Sequence, residues 1–467
     1  MINDHNDNDQ HGADALTAGR YPTNDSGNAS RLMKLFGGDF RYAEGLGWLR
    51  WNGQRWTIGD GPHHEAELCA TLIVEDGKRM GGEVGEALVK WGRTSGNAGR
   101  IAAAVEVLRH RPEVRIDADQ LDADPWLFCC RNGTIDLRTG TLREHRREDM
   151  ITRQSPVEYD AAATCPRFLQ FLGECHPGAP DVVWYLLRWL GYSLTGSVRE
   201  HVFGLWYGAG RNGKSTLLEL ALHVWGDYGC AIQPDLLLER GSDQHPTGLM
   251  DLRGARLVVT SEPPAGRRWN ESLVKQLTGG DSVTARRMRQ DPVTFRPSHT
   301  MTMACNARPI VRDQGAAFWS RVHPLEWGVS FRGREDRELD TKLRMEAPGV
   351  LALAVQGCLA WQTQGLNPPA AVAAARDDYH ASQDVIGVFV AEQLTPDPLS
   401  FLPRNLLYGA FSAWAQRGGE YCPPASVLYR QLEERGWQTT KREGSRGFMG
   451  WRWADQPVLS VARSGPG

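Results

Sequence analysis

The stretch from Phe203 to Trp225, F-G-L-W-Y-G-A-G-R-N-G-K-S-T-L-L-E-L-A-L-H-V-W, constrains this chain more than any other. A short apolar run ends at Tyr207, a glycine-rich turn covers Gly208 to Gly213, and Lys214, Ser215 and Thr216 open an amphipathic helix. Every fixed position of the phosphate-loop pattern G-x-x-x-x-G-K-[ST] is met, in the order strand, loop, helix. Glycines let backbone N–H groups converge on phosphate oxygens, Lys214 neutralises the outer phosphates, and the Ser215 hydroxyl is a ligand for Mg²⁺. The ATP-binding candidates are therefore Gly208, Ala209, Gly210, Arg211, Asn212, Gly213, Lys214, Ser215 and Thr216, with ATP and Mg²⁺ as expected cofactors. A chance glycine loop before an ordinary helix is the bland alternative, and the full match in the right context disfavours it.

With 467 residues the chain has room for two to four domains. Its charge is uneven. The first thirty residues hold five acids against Arg20 among Asn, Gly and Ser, the composition of a disordered tail, taken here as 1–38. Between Asp251 and Arg312 eleven Lys or Arg face five Asp or Glu, a net +6 that suits either a polyanion partner or a solvated face. Nine cysteines are scattered without a C-x-x-C pair or a neighbouring histidine set, so neither a zinc site nor a disulfide framework is expected. No apolar run reaches the length of a membrane span and no signal-peptide core opens the chain; a cytoplasmic protein without membrane contact is expected.

Upstream of the loop, Phe40 to Asp60 reads as hairpin strands around Asn52-Gly53, with Trp48, Trp51 and Trp56 assigned to a small core rather than to base stacking. His64 to Arg111 reads as helical, and Leu127 to Thr152 as strand, turn and strand. Phe168 to Glu174 and Asp181 to Thr195 read as helices whose Trp184, Leu186, Leu187, Trp189, Leu190 and Leu194 mark buried faces. The expected units are an N-terminal α+β domain over 39–155, a helical collar over 156–200, an ATPase core over 201–345, a helical linker over 346–383, a C-terminal domain over 384–455 and a flexible tail over 456–467.

Within the core, Arg256 to Thr260 is a short β-branched strand that leads to Glu262, an acid placed to polarise a water or hold Mg²⁺. Ser282 to Met288 and Pro292 to Cys305 read as two strands joined around Gln290-Asp291, with Arg286, Arg287 and Arg289 close to that turn and Arg296 and His299 on the return strand. With Lys275 on the preceding helix, these form the candidate DNA-binding set, a salt-bridged surface hairpin being the plainer reading. Asn306 ends the return strand, where an amide can orient water opposite a γ-phosphate. Arg321, in F-W-S-R, is a candidate arginine finger for a neighbouring subunit.

Taken in order, the phosphate loop, the Glu262 strand, K-Q-L-T-G-G-D with its arginine-bearing hairpin, A-C-N-A-R-P and F-W-S-R resemble superfamily III helicases of phages, plasmids and large DNA viruses. N-G-T-I-D-L-R-T-G-T-L is similar to the domain that precedes the ATPase in their primase-helicases. The resemblance, over roughly Arg41 to Trp453, implies an AAA+-type α/β core in a hexameric ring around single-stranded or forked DNA. It also implies Lys214 and Ser215 on phosphate and Mg²⁺, Glu262 as catalytic base, Asn306 as sensor and Arg321 acting in trans. Two departures stand out. Thr260-Ser261 precede a single acid where many members have two, and no polymerising domain is recognisable, so a helicase without primase activity is expected, with primase or initiator supplied separately.

Val385 to Leu394, Leu406 to Gln416 and Ser426 to Arg435 have helical periodicity, and Trp437 to Trp453 reads as a two-stranded wing turning at Gly444-Ser445. That is a winged-helix pattern, with Lys441, Arg442 and Arg446 available to phosphates, a wing used only for packing being the alternative. The expected function is an ATP-dependent DNA helicase replicating a phage, prophage or plasmid-like element. The alternative is an ATP-switched DNA-binding assembly or origin-recognition protein that does not unwind processively.

Overall fold

Five short strands build one parallel sheet: β1 (Phe203–Tyr207), β2 (Gly229–Ala231), β3 (Leu257–Ser261), β4 (Thr300–Cys305) and β5 (Val322–Glu326). They lie in the order β5-β1-β4-β3-β2, and every neighbouring pair is parallel. Their carboxyl ends, and the loops that leave them, therefore share one edge of the sheet. The computed structural model describes residues 21–239, 247–261, 267–286, 292–313, 315–418, 420–442 and 444–454.

A parallel sheet is covered on both faces, and alternate residues of each strand serve the two cores. Trp206, Val259, Ala304 and Leu325 point to one face, beneath the helices Pro166–Cys175, Pro180–Ser193, Lys214–Trp225 and Ala347–Gln364. Leu205, Val258, Met301 and Met303 point to the other, with Trp269, Trp319 and Tyr379. Trp184 corrects one expectation. It is 53% exposed, because the buried stripe of its helix runs through Val182, Tyr185, Leu186, Trp189 and Leu190, and Trp184 falls off that stripe.

Arg256, just ahead of β3, joins the upstream region to this core. Its buried guanidinium donates to the carbonyls of Leu194 and Leu127, each at 2.8 Å, and lies over the Tyr228 ring at 4.6 Å. The upstream region holds strands Phe40–Ala43, Gly47–Trp51 and Trp56–Gly59, three helices from His63 to Arg109, and a three-stranded sheet from Leu127 to Arg143. The tail expected over 1–38 is helical over Asp25–Phe36. Asn24 caps the helix by accepting from the Gly27 N–H, Ala29 and Leu32 are buried, and Asp25 pairs with Arg100. Residues 1–20 lie outside the described residues.

The single return strand expected from Pro292 to Cys305 is two elements. Val293–Phe295 pairs antiparallel with Val283–Ala285, and β4 then enters the central sheet. Pro297, without an N–H to offer a ladder, falls in the break.

The C-terminal region runs helix Val385–Gln393, strand Leu394–Pro403, helices Arg404–Gly418 and Ala425–Glu434, and strands Thr439–Arg442 and Ser445–Trp453. It has its own core, built on Phe389, Phe411, Leu428 and Phe448. The expected two-stranded wing gains a third strand, Leu394–Pro403. This strand lies at the sheet edge, where Pro396, Pro398 and Pro403 are tolerated. Among the described residues no helix is long and apolar enough to cross a membrane.

Candidate functional site

The glycine loop leaves the carboxyl end of β1 and is seated between two neighbours distant in sequence. Gly208 has φ +148°, and a Cβ there would stand 2.4 Å from the Trp327 carbonyl oxygen; Gly213 has φ +91°, and its Cβ would stand 2.7 Å from the Cys175 Sγ. Only glycine fits either place. Between them the backbone of Arg211 also takes a left-handed turn, with φ +62°. Lys214 begins the helix and is buried, its Nζ donating to the Gly208 carbonyl at 2.8 Å and to the Asn212 Oδ1 at 2.9 Å. The Asn212 Nδ2 donates in turn to the Trp327 carbonyl at 2.9 Å. Ala209 and Gly210 are exposed along the loop, as is Ser215 on the first helical turn, with Thr216 half-buried beside it.

Asn306 follows the last residue of β4, and the Gly208 N–H donates to the carbonyl of that residue, Cys305, at 3.3 Å. Asn306 is exposed at the same edge as the loop. On the far side of β4, Ser261 ends β3 opposite Ala304. Glu262 comes next and lies outside the described residues, as do Arg287 and Arg289.

Sequence reasoning gave no role to Arg308, two residues beyond Asn306. Its guanidinium lies over the rings of Tyr207 and Tyr379 at 5.2 and 5.0 Å and pairs with Asp378 at 2.7 Å. Burial pushes the neighbouring Cys305 thiol up to about 12, against the pull of Lys214 and Arg308. Both cations therefore act at this edge of the sheet. The position of Arg308 inside A-C-N-A-R-P was the available signal.

Arg321 is at the other edge. Its carbonyl accepts the Phe203 N–H at 2.8 Å where β5 and β1 begin, and its guanidinium donates to the Ala317 carbonyl. A five-residue strand separates it from the glycine loop of its own chain, roughly 15 Å at strand rise. The arginine-bearing hairpin also leaves from this edge, its return strand running through an exposed Arg296 into the start of β4. Arg286 is exposed at the end of Val283–Ala285. Lys275 is ion-paired with Asp313 at 2.9 Å. His299 is a correction. It is only 3% exposed, neither ring nitrogen has a hydrogen-bond partner among the described residues, and burial lowers its pKa to about 4, so a neutral core imidazole stands where a DNA contact was expected.

On the C-terminal sheet Lys441 and Arg446 are direct cross-strand partners, and Arg442 faces Ser445 across the turn at Gly444. All three cations are exposed. Like charges opposite one another destabilise a ladder unless an anion compensates them.

Residues 29–177 match a family described as "D5 N terminal like", and residues 206–321 match one described as "Family of unknown function (DUF5906)". "Putative helicase L207/L206" of Acanthamoeba polyphaga mimivirus is 27% identical over 298 residues, 59% of this chain and 31% of that protein. "Putative helicase 022R" of Frog virus 3 is 25% identical over 391 residues, 66% of this chain and 40% of that protein. The chain is similar to viral proteins named "Putative helicase" and "Putative primase". "Putative primase C962R" of African swine fever virus extends the set, at 26% identity over 45% of this chain and 23% of that protein. The chain thus spans well under half the length of these relatives. The solved apo structure of the NrS-1 C terminal region aligns with 63% of this chain and 78% of that one, at 13% identity and a TM-score of 0.42.

Proposed function

We propose that this chain is an ATP-driven DNA helicase with an AAA+-type core of superfamily III and a C-terminal winged-helix domain, working as a ring on single-stranded and forked DNA. The observation that carries the reading is the division of groups between the two sheet edges. The glycine loop, Lys214, Ser215 and Asn306 gather at the carboxyl edge, and Arg321 sits at the amino edge of the same sheet. Such a subunit lacks its finger in cis and gains one when a neighbour's amino edge meets its carboxyl edge, which is how a head-to-tail ring closes.

In this reading the loop N–H groups and Lys214 hold the phosphates. Ser215 is exposed at the helix start and suits a Mg²⁺ ligand, and the ion neutralises charge on the phosphates when bound. Glu262 polarises the attacking water, Asn306 orients it, and Arg321 of the neighbouring subunit stabilises charge on the departing phosphate. Arg286 and Arg296, with Arg287 and Arg289 between them in sequence, meet the DNA backbone on the pore side. Lys441, Arg442 and Arg446 hold duplex phosphates at the wing, where their like-charge opposition is relieved.

The rival reading is an ATP-switched assembly protein that binds DNA and does not unwind it. Strand displacement from forked substrates separates the two. ATP-dependent release of the labelled strand is expected; DNA-stimulated hydrolysis without release, across forks of both polarities, would favour the switch.

A further inference from the structure

The segment after β5 holds the glycine loop from outside. The Trp327 N–H donates to the Tyr207 carbonyl at 2.8 Å, and the Phe331 N–H to the Arg211 carbonyl at 2.8 Å. The Glu335 carboxylate accepts from the Arg211 guanidinium at 2.5 Å and from the Gly333 N–H at 2.9 Å. Its own backbone N–H, the Arg211 guanidinium and the Gly333 N–H hold the Glu335 carboxyl below the usual carboxylate range. Both cations of the loop donate to protein oxygens. Lys214 donates to a carbonyl and an amide oxygen, and Arg211 to the Glu335 carboxylate.

We propose that Glu335 is a positioning residue that competes with the triphosphate for Arg211. The carboxylate and a phosphate oxygen are alternative anionic partners for one guanidinium, and both accept it by charge-assisted hydrogen bonds. While Glu335 holds Arg211, the left-handed Arg211 backbone is fixed from both ends, its carbonyl by Phe331 and its side chain by Glu335. A phosphate that takes over the guanidinium removes the side-chain tie between the loop and Glu335, and the segment 327–335 continues directly from the strand whose amino end carries Arg321. This inference rests on the nucleotide-site reading. It adds a residue that sets the affinity of that site and links its occupancy to the strand bearing the finger.

The test is direct binding of ATP and of inorganic tripolyphosphate to the wild-type chain, Glu335→Gln, Arg211→Gln and the double variant, with Lys214→Ala as the reference for loss. Gln retains an acceptor for the Gly333 N–H, and both side chains of the ion pair are largely exposed, so the fold is expected to survive; thermal melting checks it. Glu335→Gln should tighten both ligands by about threefold to fivefold, the scale of an exposed ion pair. The gain should vanish in the Arg211→Gln background and shrink at high salt. A role confined to loop structure would instead weaken both ligands or leave them unchanged, and would not depend on Arg211. Either outcome overturns the competition while leaving the nucleotide site standing, provided Lys214→Ala abolishes binding. A wild-type chain that binds neither ligand would overturn the nucleotide reading itself.

Discussion

Asn212 gives its amide oxygen to the Lys214 ammonium at 2.9 Å and its amide nitrogen to the carbonyl of Trp327. One side chain therefore fixes Lys214 against the segment that follows β5. The loop's shape is set by these partners and by the two glycines that let them approach.

The glycines of the loop should respond unequally. At Gly208 a methyl group would meet the Trp327 carbonyl in a backbone region that side chains avoid, whereas nothing lies within 4 Å of a Cβ at Gly210. Gly208→Ala should cost about 1–3 kcal/mol of stability and lose ATP binding; Gly210→Ala should stay within about 0.5 kcal/mol of wild type. Denaturant melts of the two variants check this, and equal melts would contradict the seating described.

Arg321 should affect turnover rather than binding. Arg321→Ala is expected to lower ATP hydrolysis by about a thousandfold while ATP affinity stays near wild type. Mixing this variant with active subunits should depress activity more than in proportion. Normal hydrolysis by the variant would end the trans-finger role, and a strictly proportional loss would argue against coupled subunits.

Stability should fall with acid in a defined window. Burial lowers the pKa of His176, His299 and His323 to about 4 each, against about 6.5 in the unfolded chain. The unfolded state thus takes up protons first, so stability is complete above pH 6.5 and is lost as pH falls toward 4, by up to about 3 kcal/mol per histidine. His299, buried without a hydrogen-bond partner for either ring nitrogen among the described residues, is the clearest case. His299→Leu should raise the melting temperature at pH 5 and flatten its pH dependence between 4 and 6.5. A slope identical to wild type would show that His299 does not titrate this way.

What was legible in the sequence was local. The glycine loop is a contiguous pattern whose spacing carries its chemistry, and β1, β3 and β4 announce themselves as short apolar runs. What was hidden depends on contacts made across the sheet. Trp327 and Glu335 touch the loop from more than a hundred residues away, and nothing in their own neighbourhoods signals it. Arg308 stood in a stretch already singled out, yet only its position between Tyr207 and Tyr379 gives it a part. Prolines masked the edge strand Leu394–Pro403, and polar composition masked the helix Asp25–Phe36. His299 misled because a basic neighbourhood in sequence was read as a basic surface, whereas His299 itself, next to β4, turns inward.

The most direct test of the central claim is ATP hydrolysis by the wild-type chain, Lys214→Ala and Glu262→Gln, each with and without single-stranded DNA. A DNA-coupled motor gives turnover in the wild type that rises with DNA, and none in Glu262→Gln. Lys214→Ala should lose at least about 100-fold in ATP affinity along with its turnover. A wild-type chain that binds ATP yet hydrolyses none, with or without DNA, would contradict the motor and leave the switch.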